Sequence, residues 1–310
     1  MDKMMTAKIS ISLALVWITM FTVFNSCEEE KTVSTGQSGM IKLSLTDAPI
    51  DDTSITGVYI TITGIQYHKQ NGNWASFEEF EGPQKFNLRL LQDSISALLG
   101  NFELETGQYN QLRFMLNAPE KGHGPPTTPG CYLEYAKGTT QPLFVPSGGQ
   151  SGYKATGAFR VPSNGTVELT ADFDVRKSIV KAGNSGMYIL KPAIRLIVNG
   201  QAGSIGGAIT GMSTDSCQIV VYAYEDDTYS DEEAAEPAAE ENRFPSAISS
   251  DMVCDSNQYH LHYLAPKTYD LVITKILEND EVQILGFVED VEVISRKKTT
   301  QPINLTDVSS

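Results

Sequence analysis

Short stretches in which apolar and polar residues alternate cover most of the chain, and turn-forming residues separate them. Val58, Ile60 and Ile62 fall on one face of such a stretch, and Thr61 and Thr63 fall on the other. A period of two predicts a strand with one buried face. Further strands are predicted at 40–45, 109–116, 131–135, 143–145, 157–161, 167–173, 188–198, 219–224, 247–253, 258–264, 269–277 and 282–293. The pattern therefore predicts an all-β chain of two antiparallel β-sandwiches in tandem, of immunoglobulin or transthyretin type.

Turn and helix signals are few. Asn71-Gly72-Asn73 is a strong hairpin turn that leads into Trp74. The stretch 90–99 is the one segment whose pattern suits a helical turn, which Gly100 ends. Residues 118–130 hold four Pro and three Gly and are expected to form a loop.

One short pattern occurs twice. Leu104 to Tyr109 and Leu264 to Tyr269 both read Leu-x-x-x-x-Tyr, and an alternating strand follows each. A tight turn that delivers a tyrosine to the edge of a sandwich would explain both copies. The repeat suggests two related sandwiches.

The N-terminus reads as an export signal. Lys3 and Lys8 precede an apolar run of 16 residues, 9–24, and Cys27 follows after the small Ser26. A membrane-spanning helix needs about 20 apolar residues, so the run is short for one. We predict a lipoprotein signal peptide over 1–26 and lipidation of Cys27. An uncleaved anchor and plain secretion are the alternatives.

The residues after Cys27 bear on where the protein is displayed. The triplet Glu28-Glu29-Glu30 resembles the surface-export signals of Bacteroidetes lipoproteins, whose relaxed signal peptides this N-terminus also resembles. A solvated acidic tether is the equal alternative. The sequence predicts attachment to the outer membrane through the lipid and leaves open whether the protein faces the cell surface or the periplasm.

Composition shifts suggest the division of the mature chain. The predicted parts are a flexible tether over 27–38, a first sandwich over 39–199, a second over 203–298 and a polar tail over 299–310. Within the second sandwich, residues 225–241 hold nine carboxylates and no basic residue. We expect this acidic insertion to be solvated and disordered.

The charge balance excludes some functions. Without residues 1–26 the chain holds 21 basic and 37 acidic side chains, a net charge of −16. An acidic surface argues against nucleic-acid partners and favours divalent cations or basic partners. No HExxH, G-x-S-x-G, phosphate-loop or nicotinamide motif is present, so we expect a protein that is not an enzyme and needs no cofactor.

Three cysteines remain after Cys27. Cys217 and Cys254 fall in one predicted sandwich of an exported protein, so we expect them to pair. A disulfide there would stabilise the fold by about 4 kcal/mol in the chain-entropy model. Two buried thiols are the alternative, and Cys131 has no obvious partner.

Trp74 and Tyr67 are candidates for a ligand platform. Flat aromatic faces stack on sugar rings, so the two side chains could bind a glycan if both were exposed together. Core or edge packing of the hairpin Trp is the alternative.

Two sets of residues are weak metal candidates. His260 and His262 fall on one face of a predicted strand and could bind a transition metal with Asp255, although two solvent-facing histidines on a half-exposed strand are the favoured interpretation. Asp47, Asp51 and Asp52 share one loop and offer oxygen ligands for calcium, although aspartates simply favour turns.

Asp172 and Asp174 fall on one face of a predicted strand. Arg113, Arg195 or Lys177 could neutralise them. A buried carboxylate needs such a partner, so ion pairing is favoured over a ligand site.

Five ordered pieces of the first predicted sandwich resemble a family of bacterial lipoprotein domains, domain of unknown function 4382. They are Leu45–Pro49, Tyr109–Arg113, Val145–Gly148 with Ser151-Gly152, Asp172–Asp174 with Lys177–Val180, and Tyr188 with Leu190–Arg195. The resemblance implies a fold and an envelope location but no activity.

The second predicted sandwich resembles the carboxypeptidase regulatory-like, transthyretin-like domain. The resemblance rests on Gly203-x-Ile205-x-Gly207, on Phe244-x-x-Ala247 and on the run from Tyr259 to Ile273. Lys267 stands where that pattern usually has Gly. Such domains are binding or structural additions rather than catalysts.

Together these observations favour a non-catalytic envelope lipoprotein that serves in binding, adhesion or assembly, with a protein or glycan as its ligand. A carbohydrate-binding accessory of a glycan-uptake system is the first alternative, and an enzyme of unknown type is the second.

Overall fold

The computed structural model describes residues 37–48, 54–92, 95–118, 129–145, 152–211, 218–238, 241–253, 257–277 and 281–308. All described residues belong to one compact unit, which spans Gly36–Ser310. Across these ranges, no helix is both long enough and apolar enough to cross a bilayer.

Strands make up most of the described chain, which confirms the all-β fold class. The strands up to residue 198 are β1 (Ser38–Ala48), β2 (Ile55–Lys69), β3 (Trp74–Ser76), β4 (Gln84–Asn87), β5 (Ala97–Glu105), β6 (Gly107–Leu116), β7 (Tyr132–Tyr135), β8 (Thr140–Phe144), β9 (Tyr153–Val161), β10 (Thr166–Asp174), β11 (Ile179–Lys181), β12 (Tyr188–Leu190) and β13 (Ile194–Val198). The later strands are β14 (Gly203–Thr210), β15 (Ile219–Glu225), β16 (Ser249–Val253), β17 (Gln258–Leu264), β18 (Thr268–Ile276), β19 (Val282–Glu292), β20 (Lys298–Thr300) and β21 (Ile303–Asn304).

Helical segments are short. The α-helix is α1 (Val175–Ser178), which Asp174 caps by accepting a hydrogen bond from the Lys177 amide. The 3-10 turns are Leu88–Leu90, Ala136–Gly138, Gly183–Ser185, Asn199–Gln201 and Asp231–Ala234.

The strands fall into three sheets among the described residues. Strands β1 to β13 form one hydrogen-bonded path, in the order β11-β12-β8-β7-β2-β6-β9-β13-β10-β1-β5, and β3 and β4 pair with β2. Strands β17, β14, β20 and β21 form a second sheet, and β16, β15, β18 and β19 form a third. No described strand before Asn199 pairs with one after Gln201. We call the two groups of strands the N-terminal and C-terminal sandwiches.

The N-terminal sheet folds over on itself. Leu43 of β1 and Leu190 of β12, which lie near opposite ends of the strand order, are both fully buried in the same apolar core. The pairing is mixed, because β1–β10, β9–β13 and β8–β12 are parallel. The prediction of purely antiparallel sheets is therefore wrong in this detail: long connections bring strands that are distant in sequence side by side in the same direction.

The repeated tyrosine has the same role in both sandwiches. The hydroxyl of Tyr109 donates a hydrogen bond to the Glu105 carbonyl at 2.9 Å, and that of Tyr269 donates one to the Ala265 carbonyl at 3.1 Å. Both side chains are almost fully buried. A tyrosine that bonds to the backbone a few residues upstream is the tyrosine corner of β-sandwiches. The expectation drawn from the sequence repeat is thus confirmed.

The helical turn expected over 90–99 is not found among the described residues of that stretch. The 3-10 turn ends at Leu90 and Ala97–Glu105 is a strand, while residues 93–94 lie outside the described residues. The backbone of that strand pairs with β1, and alternation buries Leu99 while it exposes Leu98. Pairing with β1 gives the backbone N–H and C=O groups of β5 hydrogen-bond partners. An isolated helical turn would leave several of these groups without partners.

The acidic segment is structured over residues 225–238. The Tyr229 ring packs against Tyr224 and Phe287, with ring centroids 5.2 and 5.4 Å apart. The Glu233 carboxylate accepts a 2.9 Å hydrogen bond from the Tyr224 hydroxyl. The aromatic contact and the satisfied carboxylate hold the segment on the third sheet, where charge alone predicted disorder.

Candidate functional site at the junction of the sandwiches

Arg176 connects the two sandwiches. It lies in α1, directly after β10, and only 4% of its side chain is exposed. Its Nη1 donates to the Phe244 carbonyl at 2.7 Å, and its Nη2 lies 3.3 Å from the Asp174 carboxylate. The guanidinium also lies over the Tyr222 ring, 5.3 Å from its centroid. A buried guanidinium needs such partners, and its removal would take a buried hydrogen bond from the Phe244 carbonyl and a buried ion pair from Asp174.

A row of buried acidic side chains lies beside Arg176. Asp172 forms a salt bridge with Arg195, whose Nε lies 3.0 Å from Asp172 Oδ2. Lys177 Nζ lies 3.8 Å from Asp174 Oδ2. The predicted ion pairing of these two aspartates is present in the structure, with Arg195 and Lys177 as partners.

Asp47 belongs to the same row. Its Oδ1 accepts a 3.1 Å hydrogen bond from the Val175 amide. Burial raises the pKa of the Asp47 carboxyl well above its ordinary value, the Val175 amide opposes that rise, and the charges of Asp172 and Asp174 add to it. Asp47 therefore faces the interior, whereas the calcium prediction places it in a solvated loop. Asp51 and Asp52 lie outside the described residues.

A groove of about 300 Å³ opens where the sandwiches meet. One wall of the groove comes from strands β9 and β13 of the N-terminal sandwich. The last residue pair between these two strands is Arg195 with Thr156. Gly157 follows at φ +143°, and a Cβ there would lie 2.3 Å from the Leu196 carbonyl oxygen. Ala158 and Val198 line the groove beyond that point.

Tyr263, Tyr269 and Ile248 form the opposite wall of the groove. Two charged side chains complete the lining, and each has a partner of opposite sign. Arg195 pairs with Asp172, and Glu225 Oε1 lies 2.6 Å from Lys267 Nζ. The groove thus combines apolar walls with two charged side chains, each of which is neutralised by a salt bridge.

The structure separates Tyr67 from Trp74. Trp74 pairs with His68 across the hairpin, and their rings lie 5.2 Å apart. Tyr67 faces the other side of the sheet, where its ring packs 4.8 Å from that of Phe77 and 5.8 Å from that of Tyr109. Neighbouring residues of a strand point to opposite faces, so the two rings cannot share one platform. The prediction of a ligand platform formed by Tyr67 and Trp74 is therefore wrong.

His260 and His262 share a face, with ring centroids 5.7 Å apart. The Nε2 of His260 lies 2.8 Å from Lys298 Nζ, a contact that occupies a nitrogen a metal would need. The third expected ligand, Asp255, lies outside the described residues. Among the residues that the structure describes, the one set of three close metal-ligating side chains is Asp226, Asp227 and Asp270. Asp226 and Asp227 are exposed. The carboxylate of Asp270 accepts hydrogen bonds from the backbone amides of Asp227 and Asp290.

The cysteine predictions stay predictions. Cys27, Cys217 and Cys254 lie outside the described residues. Cys131 is fully buried, and burial raises the pKa of its thiol to about 12.

Sequence reasoning missed Arg176 and Tyr263. Arg176 comes two residues after Asp174, the last residue of β10. A basic residue so close in sequence to Asp172 and Asp174 is a signal of ion pairing. Tyr263 breaks the alternation of β17, in which Tyr259 and Leu261 are buried. That break could have indicated a bulge.

The chain belongs to the DUF4382 family, a domain of unknown function, whose model matches residues 38–192. The resemblance seen in the first predicted sandwich is confirmed. No curated protein matches the chain.

Three solved structures are similar over most of this chain. The Bacillus anthracis TIE protein is 9% identical, with 86% of this chain and 34% of that chain covered and a TM-score of 0.19. A leucine-rich repeat protein from Bacteroides thetaiotaomicron is 14% identical, with 87% and 26% covered and a TM-score of 0.21. GBS52, the minor pilin of Streptococcus agalactiae, is 11% identical, with 85% and 94% covered and a TM-score of 0.20. The chain spans about a third of the first and about a quarter of the second, and TM-scores this low carry no argument about its fold or function.

Proposed function

We propose that the protein is a non-catalytic envelope lipoprotein, anchored to the outer membrane through Cys27, whose sandwiches present a binding surface to the cell exterior. The C-terminal sandwich, which resembles carboxypeptidase regulatory-like domains, serves as a binding or structural addition in this proposal. The role is binding, adhesion or assembly.

The observation that carries the proposal is the Arg176 junction. Buried hydrogen bonds from one side chain to the Phe244 and Ala247 carbonyls hold the sandwiches as one body. A rigid tandem of filled sandwiches suits a module that holds a surface in a fixed orientation, because a prearranged surface loses less entropy on binding.

Metabolic labelling with palmitate tests the anchor. We expect label in the wild-type protein and none in Cys27→Ala, which should also move to the soluble fraction. Cys131→Ala is the matched control, because its buried thiol cannot be acylated in the folded protein, and it should keep the label. Equal label in wild type and Cys27→Ala, with unchanged membrane retention, would refute the proposal.

A carbohydrate-binding accessory role is the second candidate. The Tyr67 and Trp74 platform no longer supports it, but the groove at the junction does, because it combines an aromatic ring with polar groups of both hydrogen-bonding types.

A further inference from the structure

We propose that the groove at the junction of the sandwiches binds a neutral saccharide of one or two pyranose units, with Tyr263 as the stacking ring. The inference rests on the proposed function, since it names the ligand class of the binding module. Four features of the groove carry it: the placement of Tyr263, the free hydrogen-bonding atoms, the charge balance and the size.

A backbone irregularity places Tyr263 in the groove. Tyr259 and Leu261 are buried, so regular alternation would bury residue 263 as well. The register between β14 and β17 shifts between Gly203 and Ile205, Leu264 takes the core position, and Tyr263 adopts φ +55°. Positive φ is unfavourable for an aromatic residue and is found where other contacts or a function require it. The irregularity turns an aromatic ring out of the core and into the groove wall.

The polar side chains of the groove keep free donors and acceptors. Arg195 uses Nε and Nη2 for Asp172, which leaves Nη1 without a partner among the described residues. The Oε1 of Glu225 accepts a hydrogen bond from Lys267 Nζ. Its Oε2 has no hydrogen-bond partner in the described part of the chain. Gln201 and Thr156 add an amide and a hydroxyl to the lining. A sugar hydroxyl both donates and accepts, so adjacent hydroxyls can bond to a guanidinium and to a carboxylate together.

The charge balance favours a neutral ligand. The charges of Arg195 and Glu225 are each compensated by a salt bridge, to Asp172 and Lys267. An ionised ligand would have to displace one of those partners or leave its own charge uncompensated. A neutral polyol keeps both salt bridges and uses only the free atoms.

The size and shape fit one or two sugar rings. A volume of about 300 Å³ lies at the lower end of small-molecule sites. A pyranose presents an apolar C–H face, which suits the Tyr263 ring, and a rim of hydroxyls, which suits the polar lining.

Saturation-transfer NMR on the full lipidated chain, in a detergent without sugar headgroups, tests the proposal. The probes are maltose, cellobiose and lactose, with glucuronic acid and diglycine as charged comparisons. Tyr263→Asn removes the ring, and asparagine tolerates positive φ, so this variant should fold. Trp74→Ala removes an aromatic side chain that does not line the groove and is the matched control. Glu225→Gln keeps the shape and removes the carboxylate.

We expect transfer to at least one of the three disaccharides and little to glucuronic acid or diglycine. Tyr263→Asn should weaken that binding by about tenfold, roughly the effect of one lost aromatic contact, and Trp74→Ala should leave it unchanged. Glu225→Gln should weaken it as well, which keeps the test valid should Tyr263→Asn fold poorly. No transfer to any disaccharide, or transfer that the groove variants retain, would overturn the saccharide proposal. Palmitate labelling of Cys27 is independent of these outcomes, so the failure of one proposal is distinguishable from the failure of the other.

Discussion

The Nη1 of Arg176 donates a 2.7 Å hydrogen bond to the carbonyl of Phe244, which lies 68 residues further along the chain. The bond links α1, which lies between β10 and β11 of the N-terminal sheet, to the turn that leads into β16 of the C-terminal sandwich. Phe244 is itself fully buried and stacks on Tyr222, with ring centroids 4.2 Å apart. The junction is therefore an extension of the C-terminal core rather than a flexible link.

Replacing Arg176 should destabilise the whole protein. Arg176→Met keeps most of the side-chain volume but removes the buried hydrogen bonds to the Phe244 and Ala247 carbonyls and the buried ion pair with Asp174, so we expect a loss of about 3 kcal/mol in the free energy of unfolding. Urea denaturation measures it. Lys42→Met is the control, because its salt bridge to Glu168 is about half exposed and is worth less than about 1 kcal/mol. Equal losses in the two variants would contradict the role given to Arg176.

The tyrosine corners should contribute similarly in the two sandwiches. Tyr109→Phe and Tyr269→Phe each remove one partly buried hydrogen bond to a backbone carbonyl, so each should cost about 1 kcal/mol of unfolding free energy. Tyr188→Phe is the control, since the Tyr188 hydroxyl has no hydrogen-bond partner among the described residues. Thermal unfolding of the three variants compares them. Corner variants as stable as the wild type would show that these bonds do not stabilise the turns.

Asp47 should make stability depend on pH. Its folded-state pKa lies above the ordinary value of 3.8, so the folded protein binds the proton more tightly than the unfolded chain does. The stabilising contribution is therefore fully present below pH 3.8 and is lost as the pH rises through the raised folded pKa. Asp47→Asn keeps an acceptor for the Val175 amide and cannot ionise.

Urea denaturation at several pH values between 4 and 7 tests the Asp47 effect. The unfolding free energy of Asp47→Asn relative to wild type should increase steadily as the pH rises over that range. A difference that stays constant, or that shrinks with rising pH, would show that burial does not raise the folded-state pKa of Asp47.

Thiol counting tests the cysteine assignments. In the folded protein, Cys131 should resist iodoacetamide, because its pKa of about 12 and its burial keep it protonated and inaccessible. After denaturation without reductant, the mature chain should take one alkyl group, at Cys131, if Cys217 and Cys254 pair. After reduction it should take three. Three groups before reduction would refute the disulfide.

Local patterns predicted the elements, while long-range contacts determined the junction. Alternation around Val58 and Ile60 reports which face of a strand is buried, and the repeated Leu-x-x-x-x-Tyr reports a local turn, so both could be found from the sequence. The prediction of a Tyr67 and Trp74 platform was wrong because the hairpin register pairs Trp74 with His68, and Tyr67 then points to the other face of the sheet. Arg176 could not be assigned its partners, since backbone carbonyls near residue 244 leave no mark in the sequence.

The acidic segment illustrates the same limit. Nine carboxylates predicted a solvated, disordered insertion, but Tyr229 supplies an apolar contact to Phe287 that is available only once the third sheet has formed. The ring contacts of Tyr229 and the hydrogen bonds to the Glu233 carboxylate hold residues 225–238 in place despite the local charge. The groove is a similar case, because strands from both sandwiches and the break in alternation at Tyr263 are needed to form it.

Display at the cell surface is the central claim, and labelling of intact cells with a membrane-impermeant biotin ester tests it most directly. Lys42 and Lys267 have about half of their side chains exposed and offer reactive amines. We expect the protein on intact cells to be biotinylated as strongly as a known surface protein, while a periplasmic control stays unlabelled. Labelling only after the cells are broken would contradict the outward display on which the proposed binding role depends.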